Sequence, residues 1–417
     1  MAETPLAQLS ALGEVGNASC KAVWPARALL MLCAIVTGCS DADNSPTTEG
    51  SVSAQELAPV FEIYGVDNTR QGFTKPMVRQ LHNGHVLVAD QGDPMLAEFD
   101  ATGAFVRSIA VRGSGPGEII APFRIAIHRD TVVMISSASD ARQVSWIDLA
   151  TNTKGTLTPP RRAAQSETSS RYTVIDRVPS GSWFVREGAP GRVIDEMPAV
   201  GTLLSDSITI GMLRHSDVLG DSSFLWLPRI AQSTLIAFPW IGGPGPTALA
   251  AHPLRLGTLF VIAGDAIWTL DATTGQGQRW SASAPPVRFT VDRTSPGTVN
   301  AAELRSMLAR TLPDARRALD TSRLTALFDP ANAPDSAPYA SSLVPVHDGT
   351  VWVETFALDS SIARTYIALD STGRTRGVFS TPAGVRVRYV GPTLVLGTRR
   401  DPDGVEFIQA FARPGDG

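Results

Sequence analysis

A chain of 417 residues, 43 % of them hydrophobic, is long enough to bury a large core, which excludes a disordered or disulfide-stapled peptide. Its 36 basic and 40 acidic residues leave a formal charge of −4, which gives no electrostatic footprint for nucleic acid. Arginine carries nearly all the positive charge, since Lys21, Lys75 and Lys154 are the only lysines; bulk usage of that kind follows codon composition and assigns no binding role.

The three cysteines, Cys20, Cys33 and Cys39, all lie near the start. Lys21 and Arg27 precede an apolar run from Ala28 to Val36. That run is shorter than the roughly 20 residues that span a bilayer and suits the h-region of a secretory signal. Val36-Thr37-Gly38-Cys39 resembles the bacterial lipobox, whose cysteine is lipidated and becomes the first mature residue. Residues 1–39 therefore read as a lipoprotein signal peptide with Cys39 as the lipid anchor. The expected location is the cell envelope, with a membrane as partner. With Cys39 acylated, no thiol remains for a disulfide, a metal site or a nucleophile. The polar, Ser- and Thr-rich residues 40–56 read as a flexible tether.

From Leu81 onward one unit recurs. A turn residue followed by three apolar residues occurs six times, as Gly84 with Val86-Leu87-Val88 and Asp130 with Val132-Val133-Met134. Further on come Gly181 with Trp183-Phe184-Val185 and Gly257 with Leu259-Phe260-Val261. The last two are Gly349 with Val351-Trp352-Val353 and Gly391 with Leu394-Val395-Leu396. An unbroken apolar triple suits a strand covered on both faces. The turns Asp100-Ala101-Thr102-Gly103, Asp271-Ala272-Thr273-Thr274-Gly275 and Asp370-Ser371-Thr372-Gly373 are near-duplicates, and they predict one hairpin at one phase of the repeat. Ahead of each triple lies a further strand: Met77 to Leu81, Phe123 to Ile127, Tyr172 to Val178, Pro253 to Leu256, Leu343 to Val346 and Val385 to Val390.

Four strands per unit, repeated radially, make an all-β fold, a six-bladed β-propeller over residues 57–413. The last copy ends at Phe411 without a fourth strand, and Pro59 to Ile63 can supply it from the other terminus, which removes open sheet edges. Two intervals exceed blade loops, Asp206 to Ala248 and about Ala284 to Ala340. In the second, Asn300 and Glu303 form a capping box, and Leu304, Met307, Leu308 and Leu312 share a helical face. A small helical insert is expected over about 298–328.

These residues resemble the NHL-type six-bladed propellers, especially exported bacterial ones. Gly113-Ser114-Gly115-Pro116-Gly117-Glu118 followed by Pro122-Phe123-Arg124-Ile125-Ala126 is similar to the family's inter-blade turn and inner strand, with Ile119 where Phe is usual. The resemblance spans about Val60 to Phe411. It implies architecture and leaves activity open, since such proteins serve as binding scaffolds, lyases or lactonase-like enzymes.

Catalytic motifs are sparse. Gly113 to Glu118 lacks the Gly-Lys-Ser/Thr ending of a phosphate loop and precedes a strand. No Gly-x-Ser-x-Gly elbow or His-Glu-x-x-His helix occurs. The six histidines are scattered; His82 and His85 flank one hairpin turn at a spacing two metal ligands could use, but solvated turn histidines are the stronger reading and nothing supports zinc. In a propeller the inner strands line the central channel, and here they carry Arg79, Arg124, Arg177, Arg255, Arg386 and Arg388. Converging guanidinium groups would take a carboxylate or phosphate through paired hydrogen bonds; the competing reading pairs each with a carboxylate such as Asp90, Glu98 or Asp176. The sequence is therefore read as a non-catalytic module that binds a protein, peptide or glycan and needs no cofactor. The alternative is a lactonase- or lyase-like enzyme holding Ca²⁺ in its channel through carboxylate and amide oxygens.

Overall fold

Twenty-seven strands carry the described residues, with no helix among them. The structure is a computed structural model. It describes residues 53–415 except 67–71, 94, 114–117, 121, 129–130, 138–143, 158–171, 178–182, 188–202, 216–221, 228–229, 240–246, 282–283, 292–333, 335–336, 358–361 and 402. The expected signal segment with Cys39, most of the expected tether and the expected helical insert over 298–328 lie outside the described residues.

In chain order, β1 (Gln55–Glu56) and β2 (Pro59–Ile63) precede the first sheet, β3 (Pro76–Gln80), β4 (Val86–Asp90), β5 (Met95–Phe99) and β6 (Phe105–Ala110). The second sheet is β7 (Pro122–His128), β8 (Val132–Ser137), β9 (Val144–Asp148) and β10 (Lys154–Leu157). The third holds β11 (Tyr172–Arg177), β12 (Trp183–Glu187), β13 (Leu203–His215), β14 (Ser222–Trp226), β15 (Ile230–Pro239) and β16 (Thr247–Leu256). The fourth is β17 (Thr258–Ala263), β18 (Ala266–Asp271), β19 (Gln276–Ser281) and β20 (Val287–Thr290). The fifth is β21 (Ala340–Pro345), β22 (Val351–Thr355), β23 (Thr365–Leu369) and β24 (Thr375–Ser380), to which β1 adds in parallel. The sixth is β25 (Val385–Val390), β26 (Leu394–Arg400) and β27 (Glu406–Ala412), completed by β2 as its outermost strand. Antiparallel pairing of β2 with β27 joins the two ends of the described chain, with Ile63 opposite Ile408 and Pro59 opposite Phe411.

The cores sit between sheets, which explains the apolar triples. On β4, Val86 and Val88 pack toward the sixth sheet, whereas Leu87 and Ala89 pack toward the second. On β22, Val351 and Val353 face the fourth sheet and Trp352 faces the sixth. A side chain such as Leu87, fully buried, contributes about 1.5–3 kcal/mol. Polar seams reinforce the packing: Gln80 donates from Nε2 to Thr393 Oγ1 at 2.7 Å and accepts from the Thr393 and Leu394 amides, tying the first sheet to the sixth.

Five sheets are blades of a β-propeller, four strands deep apart from the parallel addition of β1. The sixfold expectation is corrected at the third sheet. There β13 runs for 13 residues; its first half pairs with β15, while its second half lies between β12 and β14. The bulge at Asp206/Ser207 marks the change of partner. The interval from Asp206 to Ala248, expected to lie outside the blades, thus supplies most of this sheet.

The fourth blade corrects a second expectation. Pro253 to Leu256 is the end of β16 and pairs within the third sheet, so the apolar triple at Leu259 lies on the first strand of its blade. Consequently the Asp271 turn joins the second and third strands, whereas the Asp100 and Asp370 turns join the third and fourth. The last two are matched in detail. Asp100 accepts from the Thr102 and Ala104 amides at 2.8 and 2.9 Å, and Asp370 accepts from the Thr372 and Arg374 amides at the same distances.

Candidate functional site: the arginine cluster on the last inner strand

First strands of neighbouring sheets meet around the channel: β17 beside β21, β21 beside β25, β25 beside β3, and β3 beside β7. Several of them are bulged, including β7, β11, β21 and β25. On β25 the irregularity falls between Val387, opposite Gly397, and Tyr389, opposite Leu396, so Arg388 has no partner residue across the ladder. A bulge of this kind re-aims the side chain it carries.

Arg388 is half-buried, and its Nε donates to Thr398 Oγ1 at 3.0 Å. Among the described residues that hydroxyl is its one hydrogen-bond partner. Burial and then the neighbouring Arg386 charge pull its pKa below the usual guanidinium value, against the pull of Glu406 and Glu354. Arg386 donates from Nε to Glu354 Oε2 at 3.0 Å. Glu354 is 0 % exposed and is also paired with Arg364, while Ser342 Oγ donates to it at 2.5 Å. Burial alone would raise the Glu354 pKa; Arg386, Arg364 and Ser342 outweigh that and hold it below the ordinary value. Glu406 is bound by Arg400 at 2.6 Å. Arg364 and Arg386 thus share the Glu354 carboxylate and Arg400 holds Glu406, while Arg388 makes no ion pair among the described residues. An excess of forked donors over acceptors favours an anion.

The structure gathers only part of the expected arginine set. Arg386 and Arg388 come together. Arg79 lies on β3 with its guanidinium 4.8 Å from the ring centre of Tyr389, and it donates to Val78 O. Arg124, on β7, donates to Ile262 O of β17 at 3.1 Å and so ties the second sheet to the fourth. Arg255 lies on β16 of the third sheet, away from the inner-strand position assigned to it. Arg177 ends β11 opposite Trp183, and its side chain is outside the described ones. Sequence reasoning missed Glu354, Arg364 and Arg400. A glutamate inside an otherwise apolar strand was the available signal, because a carboxylate covered on both sides must be paired.

His85 Nδ1 lies 2.8 Å from Glu98, which also takes Arg107 Nε at 2.7 Å. Among the described residues no three His, Cys, Asp or Glu side chains group as a metal site requires. The ends of the Gly113 to Glu118 stretch lie between β6 and β7, with Gly113 N donating to Ile119 O, in keeping with an inter-blade turn.

No protein-family model matches the chain, and no curated protein sequence does. Among solved structures it is similar to a member of the DUF4221 family from Bacteroides vulgatus, at 9% identity and TM-score 0.46, covering 87% of this chain and 97% of that one. It is similar to virginiamycin B lyase from Staphylococcus aureus, at 12% identity and TM-score 0.38, covering 82% and 96%. It is also similar to a calcium-binding protein, regucalcin, from Agrobacterium tumefaciens, at 13% identity and TM-score 0.37, covering 87% and 97%. The propeller assignment rests on the sheets themselves, and no activity carries over from these proteins.

Proposed function

We propose that this chain is an envelope-anchored β-propeller that works as a non-catalytic binding module and takes an anionic ligand, a carboxylate or a phosphate, at the Arg386–Arg388 cluster. The observation that carries the reading is Arg388: a half-buried guanidinium at a bulge beside a second arginine, with one hydroxyl as its described partner. A buried charge without a matched counter-charge is unfavourable, and an anion relieves both the desolvation and the repulsion. Glu354 supports the site by orienting Arg386 from behind.

A thermal-unfolding screen of phosphate, citrate, succinate and sugar acids tests this. An anion at about a hundred times its Kd stabilises the fold by about 2.7 kcal/mol. Arg388→Gln should abolish that stabilisation while leaving the ligand-free protein at least as stable as the parent. If no anion stabilises the parent, or the variant responds equally, the anion site is wrong.

Anchorage is the second part of the proposal and stands on the lipobox-like Val36 to Cys39. Mass spectrometry of membrane-extracted protein should find diacylglycerol on Cys39, as the first residue of the processed chain. An unprocessed chain, or a cleaved one lacking lipid, would count against it.

A further inference from the structure

The two faces of the fourth blade differ in chemistry. One face carries Leu259, Val261, Trp268, Leu270 and Phe289, all packed against the fifth blade. The opposite face is apolar in only one cross-strand row, where Ile262, Ile267 and Trp280 stand in register. That row packs on Phe184, Ile210, Leu227 and Ile230 of the third sheet. The next row reads Phe260, Thr269, Gln278, Arg288, and beyond it come Thr258 with Asp271 and Gln276 with Thr290. An inter-sheet face in a propeller is ordinarily covered and apolar. Here the irregular third sheet covers the apolar row and leaves the polar rows facing a cleft of about 870 Å³.

We infer that this cleft is a second binding site, separate from the arginine cluster, and that it takes a neutral oligosaccharide. Its volume falls within the roughly 300–1,000 Å³ of ligand pockets. The side-chain amides of Gln276 and Gln278 line it and make no hydrogen bond to another described residue, so each offers a donor and an acceptor together. Hydroxyl groups on a pyranose ring need that same combination. Trp280 closes the apolar end of the lining, half-buried, and offers an aromatic surface to the C–H face of a sugar. Asp271 and Arg288 supply one charge of each sign, so the cleft favours neither anions nor cations. Asp271 is also held in place, its Oδ1 accepting from the Thr273 and Thr274 amides at 2.9 and 2.8 Å. Most of this lining is a sheet face, with Arg288, Phe289 and Thr290 coming from the edge strand β20; an extended peptide would pair with that edge through its backbone groups and make little use of the Gln276 and Gln278 amides.

The test is calorimetric titration of the full chain with cellotetraose, maltotetraose and triacetylchitotriose, each to about 10 mM, beyond the weak end of the affinity scale. At least one should bind. The double variant Gln276→Ala/Gln278→Ala should weaken it by about tenfold or more without shifting thermal unfolding. Arg388→Gln should leave sugar binding unchanged, which separates this site from the channel. No binding by any of the three, or binding that survives the double variant, would overturn the inference. So would a neutral pentapeptide that binds the parent and loses binding in the same variant.

Discussion

Glu354→Ala is expected to cost about 3–5 kcal/mol of unfolding free energy, because it leaves Arg386 and Arg364 facing each other without their shared carboxylate. Ser342, half-buried, and the fully buried ring of Tyr366 opposite Glu354 cannot replace that charge. Glu354→Gln keeps the acceptor oxygen and should cost less. Chemical denaturation of the two variants checks the ranking; equal costs would show that the retained acceptor oxygen contributes nothing, and a negligible cost in both would show that the charge contributes little. The pH dependence follows from the same group. Its folded pKa lies below the ordinary glutamate value of 4.5, so its contribution is complete above about that pH. It is lost as pH falls from there through the lowered folded value, and in Glu354→Gln that part of the acid sensitivity should be missing.

Gly373→Ala is expected to destabilise by about 2–4 kcal/mol, backbone strain and overpacking together. Gly373 has φ +84°, and an added Cβ would lie 2.2 Å from Phe289 Cβ. Phe289 has no room to retreat, since a Cβ at Gly277 would meet its ring at 2.2 Å from the other side. The outer turn of the fifth blade is thereby locked onto the core of the fourth. Gly404 is the control: it has φ +86° with nothing within 4 Å of an added Cβ. Gly404→Ala should cost only the strain of the left-handed backbone, about 1–2 kcal/mol. Denaturant midpoints for the pair measure the difference, and equal losses would mean that the blade contact contributes nothing.

Most of the architecture was readable wherever local chemistry repeats. Val86-Leu87-Val88 and Val351-Trp352-Val353 announce strands buried on both faces, and Asp100 and Asp370 announce hairpins that the structure builds with matching hydrogen bonds. The third sheet was not readable, because β13 changes partners along its length and no turn residue marks that change. Gly257 misled for a related reason. It separates two sheets, while the real hairpin turn of the fourth blade is Gly264-Asp265, flanked by the paired Ala263 and Ala266. Arg255 was assigned to an inner strand through that error. Arg388 was found as one of a series of inner-strand arginines, but its standing apart depends on a bulge, and bulges leave little trace in a single sequence. The polar face of the fourth blade was visible as Gln276, Gln278 and Trp280 in alternation, yet its exposure depends on the shape of the sheet opposite.

The most direct test of the binding account is an anomalous diffraction map from crystals of the full chain soaked in selenate. A selenium peak within hydrogen-bonding reach of the Arg386 and Arg388 guanidinium groups, absent from Arg388→Gln crystals, is the predicted result. Selenate confined to the outer surface, with a carboxylate of the chain itself closed onto Arg388, would contradict it.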